Sequence, residues 1–329
     1  MRIRDVVVDP PLILAPMEGV TDLTFRRLVR RIGGCGMTTT EFIPAFGLAQ
    51  NLERARALAA FDADEHPIAV QVYGRDPALL AEGARVAEAL GADIVDLNMG
   101  CPSKKVCAHS GGSSLLREPE LARSIVVAMR RALKVPFTVK MRSGWDAGQR
   151  NAPEIARMCQ EEGVEAVTVH WRTRADGYGG ERDLATVAEV KRRLSIPVVC
   201  NGDVVDAASA RSSLEQTGAD ALMIGRGAVR NPWVFREIEA ALAGRPGPVV
   251  DHDERERVLV DYFLAIREVF QSDHGALGRW KKISRYFTEG VPGGERLKER
   301  VLHSGTVEEA LEAVRTFFSE LRRGAYAGG

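Results

Sequence analysis

Several things are scarce in this sequence. No apolar run approaches the roughly 20 residues needed to cross a bilayer. Met1 to Pro10 alternates charge with valine, where an export signal places a charged stretch before an apolar one. The expectation is an unexported, cytoplasmic protein that does not enter a membrane. Cysteine is sparse: Cys35, Cys101, Cys107, Cys159 and Cys200 are odd in number and never in CxxC spacing, which argues against a disulfide framework and a zinc site. They read as free thiols in a reducing compartment, with no metal expected. An excess of charge of one sign is also missing, since Lys and Arg total 45 and Asp and Glu total 45. No global field draws the chain to a polyanion, so any nucleic-acid binding needs a local basic patch.

What is present is core. Of 329 residues, 45% are hydrophobic, a globular share that excludes disorder for most of the chain. The length suits either two average domains or one α/β barrel of about 250 residues with an appendage. Short apolar runs at Leu12 to Ala15, Met37 to Thr40, Ile68 to Val72, Ile94 to Leu97, Phe137 to Met141, Ala166 to Val169, Val198 to Cys200 and Ala221 to Ile224 read as eight strands. Between them, segments such as Pro77 to Leu90, Glu120 to Leu133, Pro153 to Glu162 and Ala207 to Thr217 carry helical spacing.

The strands echo one another. Three are entered through a proline (Pro67, Pro136, Pro197), and the strand after each is entered through a glycine and an acid (Gly91 and Asp93, Gly163 and Glu165, Gly218 and Asp220). A repeated double βα module fits a closed eightfold barrel. The competing doubly wound sheet lacks its signature, because no GxGxxG follows the first strand. The fold class is therefore α/β, a TIM (β/α)8 barrel. After Ala243 a turn-rich linker, Gly244 to Pro248, leads into a region with only helical patterns. This places a barrel over 1–245 and a C-terminal all-helical domain over 246–329.

Active sites of such barrels lie at the C-terminal strand ends. The residues closing the strands are Pro16 and Met17, Glu41, Gln71, Asn98, Lys140 with Arg142, His170, Asn201-Gly202-Asp203 and Gly225-Arg226-Gly227. One polar strand end is ordinary surface; a full ring of them points to a site. The last two stations combine glycine-permitted close approach, exposed N–H groups and a guanidinium, which suits a phosphate-bearing ligand. Phosphate-barrel isomerases, lyases and flavin enzymes all remain open on that ground. Lys140 in turn could form a Schiff base, act as a base or offset a developing anion. Cys101, held between Gly100 and Pro102 beside Lys104, Lys105 and His109, is a candidate acid or nucleophile.

Leu14-Ala15-Pro16-Met17 with Thr21-Asp22, then Asn98-Met99-Gly100-Cys101-Pro102, Val139-Lys140-Met141-Arg142, Asn201-Gly202-Asp203 and Gly225-Arg226-Gly227, in this order, resemble the tRNA-dihydrouridine synthases. The pattern is nearest the bacterial B subgroup, whose C-terminal domain carries a motif similar to Lys281-Lys282-Ile283-Ser284-Arg285-Tyr286-Phe287. The resemblance implies an FMN-dependent enzyme that reduces the C5–C6 double bond of selected tRNA uridines with NADPH as electron donor. Hydride passes from reduced FMN to C6, and Cys101 gives a proton to C5. By the same resemblance Pro16, Met17, Gln71, Lys140 and His170 hold the flavin, and Asn201, Gly202, Asp203, Gly225 and Arg226 its phosphate. Asn98 then faces the uracil, and Lys104, Lys105, Arg142 and Arg174 meet the substrate. No stable protein partner is implied.

Two features depart from the family pattern. Trp171 precedes Arg172-Thr173-Arg174 where a small residue is usual, and is expected to cap the barrel rather than stack on a base. The loop from Val106 to Ser114, with Cys107 and His109, strays from the usual basic stretch. In the C-terminal region Trp280, Ile283 and Phe287 share one helical face, with Lys281, Lys282 and Arg285 opposite. That basic face is the expected contact for the RNA backbone. A flavin reductase of small pyrimidine-like molecules and a noncatalytic tRNA-binding protein are the competing classes.

Overall fold

The computed structural model describes every residue except 104–105, 107–110, 271, 288–290 and 325–329, and the side chains of 282–286 also lie outside the description. Eight parallel strands form a closed ring: β1 (Leu12–Leu14), β2 (Met37–Thr39), β3 (Ile68–Tyr73), β4 (Ile94–Met99), β5 (Phe137–Arg142), β6 (Ala166–His170), β7 (Val198–Asn201) and β8 (Ala221–Ile224). Neighbours in chain order pair in parallel, and β8 pairs with β1 to close the barrel. All eight expected strands are present. A short ninth, Ile43–Pro44, adds to the outer end of β3.

The Pro/Gly-acid echo has a physical cause. Each strand entered through a proline starts with an N–H that no sheet partner takes, and the acid before the next strand accepts it. Ile68 N–H donates to Asp93 Oδ2 at 2.7 Å, Phe137 to Glu165 Oε2 at 2.6 Å and Val198 to Asp220 Oδ2 at 2.8 Å. The glycine two residues earlier has positive φ in all three copies (97°, 87° and 66°), ending the preceding helix in the left-handed region. Three strand pairs, β3/β4, β5/β6 and β7/β8, are thus pinned at the N-terminal end by the same device.

Along each strand alternate residues face in and out. Val95, Leu97, Met99, Val139 and Met141 belong to the core between strands and helices, while Ile13, Ala69, Ile94, Ala166, Val199, Ala221 and Met223 fill the barrel axis. A hairpin, Arg2–Ile3 with Val6–Val7, sends Ile3 and Val8 into this axial cluster and stoppers the N-terminal mouth. The alternation of charge and valine over Met1 to Pro10 does not by itself announce that hairpin. By the same in-and-out alternation Asp96, Asn98, Thr138, Lys140, Thr168, His170 and Asn201 point inward towards the opposite mouth. The floor is therefore apolar and the top polar.

Past residue 243 the described residues form four helices, His252–Val269, Asp273–Phe287, Gly294–His303 and Val307–Arg322. They pack directly on the barrel. Tyr262 meets Phe25 edge-on at 6.1 Å and stacks on Phe287 at 5.8 Å, and Phe287 also meets Trp233 at 6.2 Å. No helix among the described residues is long and apolar enough to cross a membrane.

Candidate active site

A cavity of about 1050 Å³ opens at the C-terminal mouth of the barrel. Pro16 and Met17 line it after β1, Asn98 from the end of β4 and Cys101 just after it, and Lys140, Arg142 and His170 from β5 and β6. Arg174 contributes from the loop after β6, and Asn201, Gly202, Asp203, Gly225 and Arg226 from the last two stations. Of the expected site residues, Gln71 is fully buried and is not on this wall. Lys104, Lys105 and the Cys107–His109 stretch lie outside the described residues, as do the side chains of Lys282 and Arg285.

Cys101 is placed by its own strand. Asn98 Oδ1 accepts the N–H groups of Gly100 at 3.0 Å and Cys101 at 2.9 Å, folding the chain sharply at the end of β4. The Cys101 carbonyl accepts from the Ser113 N–H at 3.1 Å and its hydroxyl at 2.9 Å. Asn98 Nδ2 donates to Gln71 Oε1 at 2.8 Å, and Gln71 Nε2 donates to Asp96 Oδ2 at 2.7 Å. Gln71 therefore sits beneath the Asn98 turn, its amide shared between Asn98 and Asp96. Asn98 borders the cavity, yet its oxygen is also committed to that turn. Burial pushes the thiols of Cys35, Cys159 and Cys200 up to about 12, so they are inert packing groups. Among the described residues only Cys101 brings a thiol to the mouth.

Lys140 projects from β5, and its Nζ donates to Asn201 Oδ1 at 2.9 Å. Burial, and next the Arg142 guanidinium, push the ammonium down to about 8. His170 is held neutral at pH 7 by burial first and then by Lys140, Arg142, Arg172 and Arg226. Arg142 itself is buried and fastens the loops: it donates to the carbonyls of Gly100 at 3.0 Å, Thr173 at 2.6 Å and Gly177 at 2.8 Å. Its expected role at the substrate is thereby joined to a structural one.

The turns after β7 and β8 form a glycine-lined cradle. Gly202 has φ of 123°, and a Cβ there would fall 2.3 Å from Trp171 Nε1. Only glycine fits. Asp203, in the left-handed region at φ of 49°, pairs with Arg172 and Arg226. Although burial opposes it, Arg172 and then Arg226 hold this carboxyl below its ordinary range. Two guanidiniums against one carboxylate leave the cradle positive. Trp171 is buried beneath Gly202, with Arg172 stacked 3.9 Å over its ring. It supports the cradle and is not offered to a base.

Two features escape a reading of the sequence. Arg172, visible only as one residue of His170-Trp171-Arg172-Thr173-Arg174, neutralises Asp203. Tyr178, 65% exposed on the cavity wall, has Arg226 at 5.2 Å and Arg142 at 6.0 Å from its ring. A lone tyrosine in a glycine-rich loop carries no local signal, since the cations that flank it come from β5 and β8. On the helical bundle, Lys281 is not free as expected; its Nζ donates to the Ser304 carbonyl at 2.6 Å.

Fold and site define a parallel α/β-barrel enzyme with a glycine-lined, arginine-bearing cradle on one side of its mouth and a thiol on the other. A family model described as dihydrouridine synthase matches residues 13–322. The tRNA-dihydrouridine synthase B of Pseudomonas aeruginosa is 39% identical over 321 residues, 97% of this chain and 96% of that one. The protein of the same name from Salmonella typhimurium is 37% identical over 320 residues, 97% of this chain and 99% of that one. The chain belongs to the dihydrouridine synthase family. Among solved structures, a 2-naphthoyl-CoA reductase complex and a histamine dehydrogenase from Rhizobium sp. 4-9 each align with a TM-score of 0.57 at 13% identity. They cover 75% and 74% of this chain, which spans 52% and 47% of theirs, and share the fold.

Proposed function

We propose that this chain is an FMN-dependent tRNA-dihydrouridine synthase that reduces the C5–C6 double bond of selected uridines in tRNA, with NADPH as electron donor and Cys101 as proton donor. Residues 1–245 form the cofactor-binding catalytic barrel and 246–329 the tRNA-engaging helical domain, in a cytoplasmic enzyme. The observation that carries the reading is the Cys101 turn: a thiol fixed at the same mouth as the Gly202/Gly225 cradle and Lys140, in a member of this family.

The residues present fit a flavin mononucleotide. The cavity, at about 1050 Å³, reaches the upper end of the usual range for ligand sites. The Gly202 and Gly225 backbones and Arg226 offer donors to a phosphate, while Pro16, Met17, Lys140 and His170 border the space beside it. Bound FMN supplies the two-electron transfer that carries a hydride from a nicotinamide to a uracil ring.

Everything else falls to the chain. Asn201 fixes the Lys140 ammonium over the cavity, where its charge offsets negative charge that develops during reduction. His170, kept neutral, offers a hydrogen bond without adding charge. As charge builds on the uracil C4 carbonyl, the Cys101 Sγ proton passes to C5. Asn98 holds the turn that aims it. The uridine reaches this mouth only when swung out of the folded RNA.

The test is Cys101→Ala. Expected are retained flavin and NADPH oxidation by an artificial acceptor, with dihydrouridine formation down by about 10²-fold or more, scored by nucleoside mass spectrometry of tRNA from a deletion strain. Unchanged uridine reduction removes the proton-donor assignment, and absence of dihydrouridine with the wild-type protein removes the activity.

A further inference from the structure

The loop after β1, from Pro16 to Asp22, forms one wall of the cavity through Met17, Glu18 and Val20. It is a tight turn: the Met17 carbonyl accepts the N–H groups of Val20 and Thr21, both at 3.0 Å, and the Met17 N–H donates to Thr21 Oγ1 at 2.9 Å. Gly19 N–H donates to Glu41 Oε2 at 2.7 Å. Three successive carbonyls, of Gly19, Val20 and Thr21, each meet a guanidinium. Arg26, on the helix Leu23–Ile32 that follows this loop and itself paired with Glu65, donates to the Thr21 carbonyl at 3.1 Å.

The other two carbonyls are taken from the far end of the chain. Arg279, on the helix Asp273–Phe287, donates to the Gly19 carbonyl and to the Val20 carbonyl at 2.7 Å, and pairs with Asp22 Oδ2 at 2.6 Å. Its side chain is nearly fully buried, and its Nε finds no partner among the described residues. A buried guanidinium aimed at main-chain carbonyls of a cavity loop does more than glue two helices, because an alternative apolar contact would dock the bundle at lower desolvation cost. The same helix packs on Arg226–Arg230, the short helix after β8. These two flanks meet in the wall itself, since a Cβ on Gly225 would stand 3.4 Å from Met17 Sδ. The helix that carries the proposed RNA-contacting Lys282 and Arg285 therefore grips the wall on both sides of the β1/β8 seam.

We propose that Arg279 is a positioning residue that fixes the Met17–Val20 wall of the barrel cavity from the helical bundle, so that the bundle and the ligand-facing loop move as one body. The proposal deepens the reading of the site as a flavin and tRNA enzyme, and the physical coupling it asserts is measurable without turnover. Full-length Arg279→Met and Arg279→Lys are compared with wild type by amide hydrogen exchange over residues 16–22, by FMN dissociation constant and by steady-state kinetics with tRNA. For Arg279→Met the Val20 and Thr21 amides exchange at least about tenfold faster, with β4 and β5 unchanged. FMN binds about tenfold more weakly, and kcat falls while the KM for tRNA stays within about twofold. Arg279→Lys recovers part of each effect.

Wild-type exchange over 16–22 in Arg279→Met overturns the proposal whatever the activity. If the wild type makes no dihydrouridine, the proposed function fails while the exchange result still decides this coupling. Should Arg279→Met not fold, Asp22→Asn removes the ionic partner and retains the helix cap, because asparagine caps as well as aspartate. Faster exchange in that variant supports the coupling, and wild-type exchange overturns it.

Discussion

Lys140 Nζ bonds Asn201 Oδ1 at 2.9 Å, joining β5 to β7 across the mouth of the barrel, over β6. The contact holds a charge where burial disfavours it. Burial pushes the ammonium down to about 8, below the ordinary lysine value of about 10.4. Between those two values the unfolded chain binds more protons than the folded one, so this group makes stability rise with pH across that window. Below it, both states are charged and the full cost of burial is carried.

Lys140→Met is therefore expected to stabilise the ligand-free protein at pH 7 by an amount on the order of 1 kcal/mol, and the gain should shrink as pH rises above 8. Dihydrouridine formation should fall by about 10²-fold or more, the usual loss when a preorganised electrostatic partner is removed. Thermal melts of both proteins from pH 7 to pH 10 read the first effect. A variant less stable than wild type at pH 7 contradicts the assignment.

Gly202 tests the cradle. Alanine there must adopt φ of 123° and place its Cβ 2.3 Å from Trp171 Nε1, so Gly202→Ala should cost about 2 kcal/mol or more and release bound flavin. Adding Trp171→Phe removes the clashing indole nitrogen. The double variant should recover part of the lost stability, measured by urea unfolding. Equal stability of the single and double variants would show that the indole is not what excludes a side chain.

Gln71 separates contact from support. If its amide serves the Asn98 turn, Gln71→Leu loosens the loop that carries Cys101. Turnover should then drop by up to about 10²-fold, as for other small misplacements of a catalytic group, with flavin affinity nearly unchanged. Loss of flavin affinity with normal turnover at saturating flavin supports instead the direct contact that family resemblance implies.

How much of this is legible in the sequence differs by level. The eight strands are readable because each is a short apolar run between turn residues, and the Pro/Gly-acid echo marks strand pairs that Asp93, Glu165 and Asp220 pin through hydrogen bonds. The ring of polar strand ends is readable because inward and outward positions alternate. Gln71 reads as a strand-end group like the others because the same alternation puts residues that border the cavity and those beneath them in one inward column, and only depth separates them. Arg279 cannot be found at all: its partners Gly19, Val20 and Asp22 lie about 260 residues away, and nothing local distinguishes a buried guanidinium from a solvated one.

Helical spacing presents Lys281, Lys282 and Arg285 as one free basic face, and Lys281 breaks it. Its ammonium donates to the carbonyl of Ser304, the residue that ends the helix Gly294–His303. Lys281→Ala should thus cost about 1 kcal/mol of stability and barely change the salt dependence of tRNA binding. Replacing Lys282 and Arg285 with alanine should do the reverse, weakening tRNA binding and lowering the slope of log K against log salt by somewhat less than one for each phosphate that the pair neutralises. Binding titrations at several salt concentrations, paired with thermal melts, distinguish the two roles. If Lys281→Ala flattens the salt dependence as much as the double replacement does, the ammonium leaves Ser304 for the RNA, and the basic face acts as a single surface after all.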